Sequence, residues 1–91
     1  MPITHNIYTL GTASATRIVA PQNMSQEVHL HNMTKSSNEY IYLGGAAVTI
    51  TNSIHIDPGE SLALTLGPGD DLWAVSDPGG LEVGVLVVKQ D

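Results

Sequence analysis

The sequence predicts an all-β domain: an antiparallel β-sandwich of jelly-roll or Greek-key type, with about seven or eight strands and essentially no helix. Three observations predict it. Short runs of alternating apolar residues lie between turn signals at a spacing of roughly ten residues, most plainly from Tyr40 to Ser76. Turn chemistry punctuates that region at Gly44-Gly45, Asn52-Ser53, Asp57-Pro58-Gly59, Gly67-Pro68-Gly69-Asp70 and Asp77-Pro78-Gly79-Gly80. No segment holds the helical period of about 3.6 residues over about a dozen positions.

Taken in order, residues 1–10 carry isolated apolar positions (Ile3, Ile7, Tyr8, Leu10) without a sustained period. They are expected to form an N-terminal arm or a short edge strand over Asn6 to Leu10, outside a single sandwich domain at 11–91. Thr16 to Ala20 reads as a strand stopped by Pro21, which cannot donate to a ladder and so belongs at an edge or a strand end. Glu27 to Asn32 alternates, with Val28 and Leu30 inward and Glu27, His29 and His31 outward. A polar loop from Met33 to Asn38 leads to the strand Tyr40 to Leu43. Gly44-Gly45 then permits a tight turn.

Ala47 to Thr51 is read as a further strand, with Val48 and Ile50 on one face, and Ile54 to Ile56 as a short extended piece. Pro58-Gly59 and Pro68-Gly69 fit type II turns, Pro supplying the first central φ and Gly the positive second one; Pro78-Gly79 is expected to repeat them. Between the first two turns, Leu62, Leu64 and Leu66 alternate with Ser61, Ala63 and Thr65, a half-buried strand. After them, Trp73 and Val75 share one face and Leu72 and Ala74 the other. The final run, Leu81 to Val88, is apolar on both faces, which marks a central or covered strand. Lys89-Gln90-Asp91 reads as a polar tail. The prolines recur evenly but the residues between them do not match, so the rhythm is that of hairpins rather than of duplication.

A chain of 91 residues is one domain, and at this size it buries somewhat over 60% of its unfolded surface, which is marginal for a monomer. Cysteine and phenylalanine are absent and there are one Trp and three Tyr, so the core must come from Val, Leu, Ile and Ala without disulfide help. Oligomerisation is therefore expected to add stability. Three basic residues (Arg17, Lys35, Lys89) face nine acidic ones, a formal charge of −6. That excludes a basic face able to neutralise phosphates and disfavours an anionic membrane surface, so neither nucleic acid nor membrane is an expected partner. Met1-Pro2-Ile3-Thr4-His5 lacks a basic and then apolar leader, so synthesis in the host cytosol is expected.

Few patterns carry chemistry. His29-x-His31 puts two imidazoles on one face of a strand, where they could share a metal. Cupin jelly rolls add a Glu a few residues on, where Lys35 and Ser36 stand here, and His55 would have to serve as a third ligand. Two exposed or interfacial histidines are the simpler reading. Asp57, Glu60, Asp70 and Asp71 lack the spacing of a calcium loop and read as turn formers; a glycosidase pair would want more aromatic walls. Gly44-Gly45 and Gly79-Gly80 precede strands, so no helix N-terminus is there to hold phosphate. Asn23-Met24-Ser25 and Asn32-Met33-Thr34 match the glycosylation sequon by chance. Trp73, Tyr40 and Tyr42 could form a sugar-stacking platform; filling the sandwich or a subunit interface is the plainer role.

The order YLGG, AVTITNSIHIDPGESLALTLGPGDDLWAVSD and then a Val-rich strand resembles small phage virion proteins of the capsid decoration (cement) type, over about Tyr40 to Val88. Where that family often has an asparagine-glycine turn, this chain has Asn52-Ser53. The resemblance implies a non-enzymatic structural component on the capsid surface of a virion, a homotrimer stabilising the shell through contacts with the major capsid protein. It implies no catalytic, cofactor-binding or metal-binding residue. Ile3, Ile7, Tyr8 and Leu10 of the arm are the expected assembly contacts. A small carbohydrate- or receptor-binding β-sandwich and a minimal metal-dependent cupin are the alternatives.

Overall fold

Alternation decides which way each strand faces, and a computed structural model that describes residues 3–90 shows where the strands go. They are β1 (Ile3–Thr9), β2 (Thr16–Val19), β3 (Ser25–Asn32), β4 (Tyr40–Gly44), β5 (Ile54–Ile56), β6 (Ser61–Leu66), β7 (Leu72–Asp77) and β8 (Glu82–Gln90). One antiparallel sheet has the order β1-β8-β3-β6, the other β2-β7-β4-β5. First pairs with last, second with seventh, third with sixth and fourth with fifth. That nesting is a long hairpin rolled up, the eight-stranded jelly roll. No helix occurs among the described residues.

The two sheets press their inward positions together. β3 contributes Val28 and Leu30, β8 contributes Val83, Val85 and Val87, β4 contributes Ile41 and Leu43, and β7 contributes Leu72 and Ala74, all buried. Each fully buried Val, Leu or Ile stabilises by about 1.5–3 kcal/mol, so a core without phenylalanine suffices. β8 lies between β1 and β3, as its two apolar faces predict. The leucines of β6 point inward as expected, but Leu62 and Leu64 are only half-buried while Leu66 is buried, because β6 is an edge strand.

Polar anchors hold the ends. Gln26, buried on β3, donates from Nε2 to the Ala20 carbonyl at 3.0 Å. The buried Ser76 hydroxyl donates to the Pro78 carbonyl at 2.8 Å. Two of the Pro-Gly turns have the expected positive φ, 76° at Gly59 and 85° at Gly69, where a side chain would be strained. The third differs: the Asp77–Pro78 bond is cis and the positive φ, 88°, falls on Gly80.

Three expectations are corrected. Ala47 to Thr51 is not a strand but part of a loop between β4 and β5. Asn52 closes it, accepting the Thr49 N–H at 2.8 Å and donating to the Ala47 carbonyl at 3.3 Å; an Asn that bonds nearby backbone offers it an alternative to the ladder. Residues 3–9 are not an arm but the edge strand β1, the alternative expected over Asn6 to Leu10, longer at its start and paired with β8 from Ile3↔Val88 to Thr9↔Glu82; Met1 and Pro2 lie outside the described residues. Lys89 and Gln90, expected in a polar tail, continue β8, and Asp91 lies outside the described residues.

Candidate functional site

β1 runs against the usual polarity of a sandwich strand, and this leaves two of its isoleucines exposed. Tyr8 pairs with the buried Val83, which turns Thr4, Asn6 and Tyr8 toward the interior side and Ile3, His5 and Ile7 toward solvent. Ile3 and Ile7, two of the four expected assembly contacts, are therefore 62% and 58% exposed. The other two are placed differently. Tyr8 packs against the core, and Leu10 belongs to it, buried with its carbonyl accepting the Gly80 N–H at 2.7 Å. Leu10 is thus covered by its own sandwich, because the chain turns inward where β1 ends.

The ladder extends this apolar edge across the sheet. Ile7 sits in a row with Gly84 and His31, His5 in a row with Leu86 and His29, and Ile3 in a row with Val88 and Glu27. Leu86 (39%) and Met33 (41%) add to the exposed apolar surface. Gly84 has no side chain, so the surface dips there into a groove of about 860 Å³ walled by Ile7, Leu86 and Met33 and bordered by His5, His29 and His31. No carboxylate lines it, although the chain carries nine acidic residues. Exposed apolar surface of this kind is the sort that interaction sites use. Sequence reasoning named Ile3 and Ile7 but missed His5, Met33, Gly84 and Leu86. The signal was present in the second apolar face of Leu81 to Val88.

The histidines do not converge on a metal. His29 Nε2 lies 3.1 Å from Glu27 Oε1 and His31 Nδ1 lies 3.0 Å from Ser61 Oγ, both on the outer face of the first sheet. His55 belongs to the second sheet, edge-on to Tyr40 and Tyr42 at 4.8 and 5.5 Å, with Asp57 Oδ1 at 3.0 Å from its Nε2. The three-histidine cupin set is therefore not assembled. No group of three or more His, Cys, Asp or Glu able to hold a metal occurs among the described residues. The acidic residues separate as well, Asp57 and Glu60 before β6 and Asp70 and Asp71 after it. Asp70 accepts the Gly67 N–H at 3.0 Å and Asp71 the Trp73 indole N–H at 3.1 Å, which are turn and side-chain roles.

Tyr40, Tyr42 and Trp73 do share one face, and it lies outside the sandwich. Tyr40, Tyr42 and Gly44 share the outer face of β4, and Trp73 stands opposite Gly44 on β7. Val75, opposite Tyr42, is only 1% exposed although it points away from the core. The loop after β4 explains part of this cover: a Cβ at Gly44 would meet Val48 at 3.2 Å, so Val48 rests on the glycine. A small second cluster thus seals the outer face of β4 and β7, flanked by Arg17 opposite Trp73.

Asn32, read from the sequence as a chance sequon, is a fully buried tie. Its Nδ2 donates to the carbonyls of Glu39 (2.9 Å) and Ile56 (3.0 Å), and its Oδ1 accepts from Thr34 N–H (3.1 Å) and Oγ1 (2.8 Å). The Asn-x-Thr spacing is that of a side chain bonding backbone two residues on, and the amide nitrogen is inaccessible to a glycan.

No protein-family model and no curated protein matches the chain. Among solved structures the fold is similar to that of a Bacillus endospore appendage protein, from a family of disulfide-linked pili. The two share 14% identity, with 99% of this chain and 87% of that one covered, at a TM-score of 0.59. This likeness shows the fold, an antiparallel two-sheet sandwich.

Proposed function

We propose that the chain is a non-catalytic structural subunit of a large protein particle, held there by many copies of a contact made through the outer face of the first sheet. The observation that carries this is the joint exposure of Ile7, Met33 and Leu86 around one groove, with Ile3 exposed on the same strand as Ile7. Repetition over many sites turns weak individual contacts into firm attachment. The more specific form is a phage capsid decoration protein, a homotrimer seated on the major capsid protein at the virion surface. The resemblance of Tyr40 to Val88 to such proteins supports it. That a protein of similar fold builds a pilus supports the broader structural role. Those pili are disulfide-linked, whereas these 91 residues contain no cysteine with which to form such a link. The test is a mass-spectrometric copy count on washed, purified virions. A fixed ratio to the major capsid protein supports the reading, and absence of the chain from the particles overturns it.

The clustering of Tyr40, Tyr42 and Trp73 on one outer face supports a second reading, a carbohydrate- or receptor-binding sandwich. Binding on a glycan array that Trp73→Ala abolishes would support it. An array with no bound glycan would remove it.

A further inference from the structure

The first sheet ends on β1, and that edge lacks the devices that usually keep one strand from pairing with another. Charges, prolines, bulges or short length serve that purpose. β2 has a register shift beside Arg17, β5 is three residues long, and β6 has Glu60 before it and Asp70 and Asp71 after it. Ile3–Thr9 has no Asp, Glu, Lys, Arg or Pro, and its register with β8 is unbroken. Its free side also presents backbone groups. The Leu10 N–H donates to the Leu81 carbonyl, while the next carbonyl of β8, that of Glu82, accepts from Met33 on β3. Backbone groups alternate sides along an antiparallel strand, so the N–H and C=O groups of Ile3, His5, Ile7 and Thr9 point away from β8. The second sheet does not cover this edge, since Thr4 and Asn6 are exposed although they turn toward the interior side. The β8 residues opposite Ile3 to Tyr8, from Val88 to Val83, are uncharged too. Two strands' width of this edge is thus free of charge in a chain at −6.

We propose that β1 of one copy pairs antiparallel with β1 of a second copy about a two-fold axis at His5, joining the two first sheets into one. The residue order selects this occupant. A two-fold contact sets a surface against itself, and Ile3-Thr4-His5-Asn6-Ile7 reads the same in side-chain class from either end. Ile3 of each copy then lies opposite Ile7 of the other, so both exposed isoleucines gain a cross-strand apolar partner, and Thr4 lies opposite Asn6. The register also sets odd positions against odd ones, which are the positions whose backbone groups point outward. Like-charge repulsion does not oppose the approach, because no carboxylate stands on the two strands nearest the contact between Ile3 and Tyr8. The other free edge of this sheet, β6, offers only Ser61, Ala63 and Thr65 on the outer face, which would leave the isoleucines without an apolar partner. This contact goes beyond the particle role proposed above, since it uses the edge of the sheet rather than its outer face.

With no cysteine in the 91 residues, single-cysteine variants read the register directly. Opposed residues of a hydrogen-bonded antiparallel pair have Cα atoms about 5.5 Å apart, within the range of about 4.4–6.8 Å that a disulfide spans. His5→Cys is therefore expected to give a disulfide-linked dimer on mild oxidation. Ile3→Cys and Ile7→Cys are each expected to stay largely unlinked alone, because like positions then lie roughly 14 Å apart at about 3.4 Å per residue, and to link when mixed. Sedimentation velocity on the wild-type chain is expected to show reversible association that rises with concentration. Ile3→Lys places a charge on the edge, and Ile7→Pro removes an N–H that points away from β8. Each is expected to weaken association at least about tenfold, with circular dichroism checking that the variant is folded. A wild-type chain that is monomeric throughout overturns the proposal, as does association that neither variant weakens. Ile3→Cys or Ile7→Cys linking to itself as readily as His5→Cys does overturns it as well. The copy count on virions stands apart from these outcomes, so edge pairing can fail while the structural role survives.

Discussion

Asn32 gives the sharpest test of the fold. Its side chain closes four hydrogen bonds at the point where β3 leaves the first sheet, reaching the start of β4 through Glu39 and the end of β5 through Ile56. Asn32→Ala leaves two carbonyls and the Thr34 N–H without that partner. An orphaned buried polar group costs about 1–3 kcal/mol, and water reaching the part-buried Thr34 holds the sum over three groups to the lower half, about 3–6 kcal/mol. A domain of this length has a total stability of about 5–14 kcal/mol, so the loss is a large share. Urea unfolding followed by circular dichroism reads it as a lower midpoint at unchanged slope. Asn32→Asp keeps the shape and reverses the chemistry, since a carboxylate would face two carbonyl oxygens. Full burial, with two carbonyl oxygens against one of its oxygens, raises the carboxyl pKa above its unfolded value of about 3.9, against the opposing pull of the two Thr34 donors on the other oxygen. The folded state then binds the extra proton, so this variant loses stability as pH rises from the unfolded pKa through the raised folded one. Its deficit relative to wild type should be smaller at pH 4.5 than at pH 7.5. A loss under about 1 kcal/mol in Asn32→Ala, or a deficit in Asn32→Asp that is flat with pH, would refute the buried tie.

Other expectations follow from burial and strand position. Leu30→Ala, at 1% exposure on β3, should cost about 2–5 kcal/mol, while Leu64→Ala on the half-buried edge strand β6 should cost less, about 1–2 kcal/mol; equal losses in urea titrations would mean that β6 is not at an edge. His29→Ala combined with His31→Ala should change folding stability by no more than about 0.5 kcal/mol, and stoichiometric zinc or iron that vanishes in the double variant would restore the metal reading. Removing residues 1–6 strips half of β1 from β8 and should lower the melting midpoint by several degrees, since about 1 kcal/mol shifts a domain of this size by about 4–8 °C; an unchanged midpoint would return the segment to an arm.

Most strands were legible because their side chains are divided between a wet and a dry face. Val28 and Leu30 against His29 and His31 is such a case, and β6 is another. β1 was legible only in part, as a short edge strand offered beside an arm, for the same physical reason reversed. Its isoleucines face water and its Thr4 and Asn6 take the interior side, so alternation there points the wrong way. Ala47 to Thr51 misled differently: Val48 is buried against Gly44 outside the main core, and burial in a loop leaves the same apolar mark as burial in a strand. The groove escaped notice because its parts come from β1, β3 and β8, and only the register sets His5, Leu86 and His29 in one row. Asn32 was hidden by its sequon, whose threonine serves the asparagine oxygen instead.

The order β1-β8-β3-β6 also governs when this molecule can exist. No two neighbours in that sheet are consecutive along the chain, and the strand between β1 and β3 is the last of the eight to be synthesised. Until β8 emerges from the ribosome, β1 has no ladder partner and β3 can pair only with β6. Folds built from such distant pairings form slowly, in about milliseconds to seconds. The groove shares that timing, since Gly84 and Leu86 are supplied by β8. A growing chain therefore has no finished groove, and the outer face of the first sheet takes its shape only once β8 is in place.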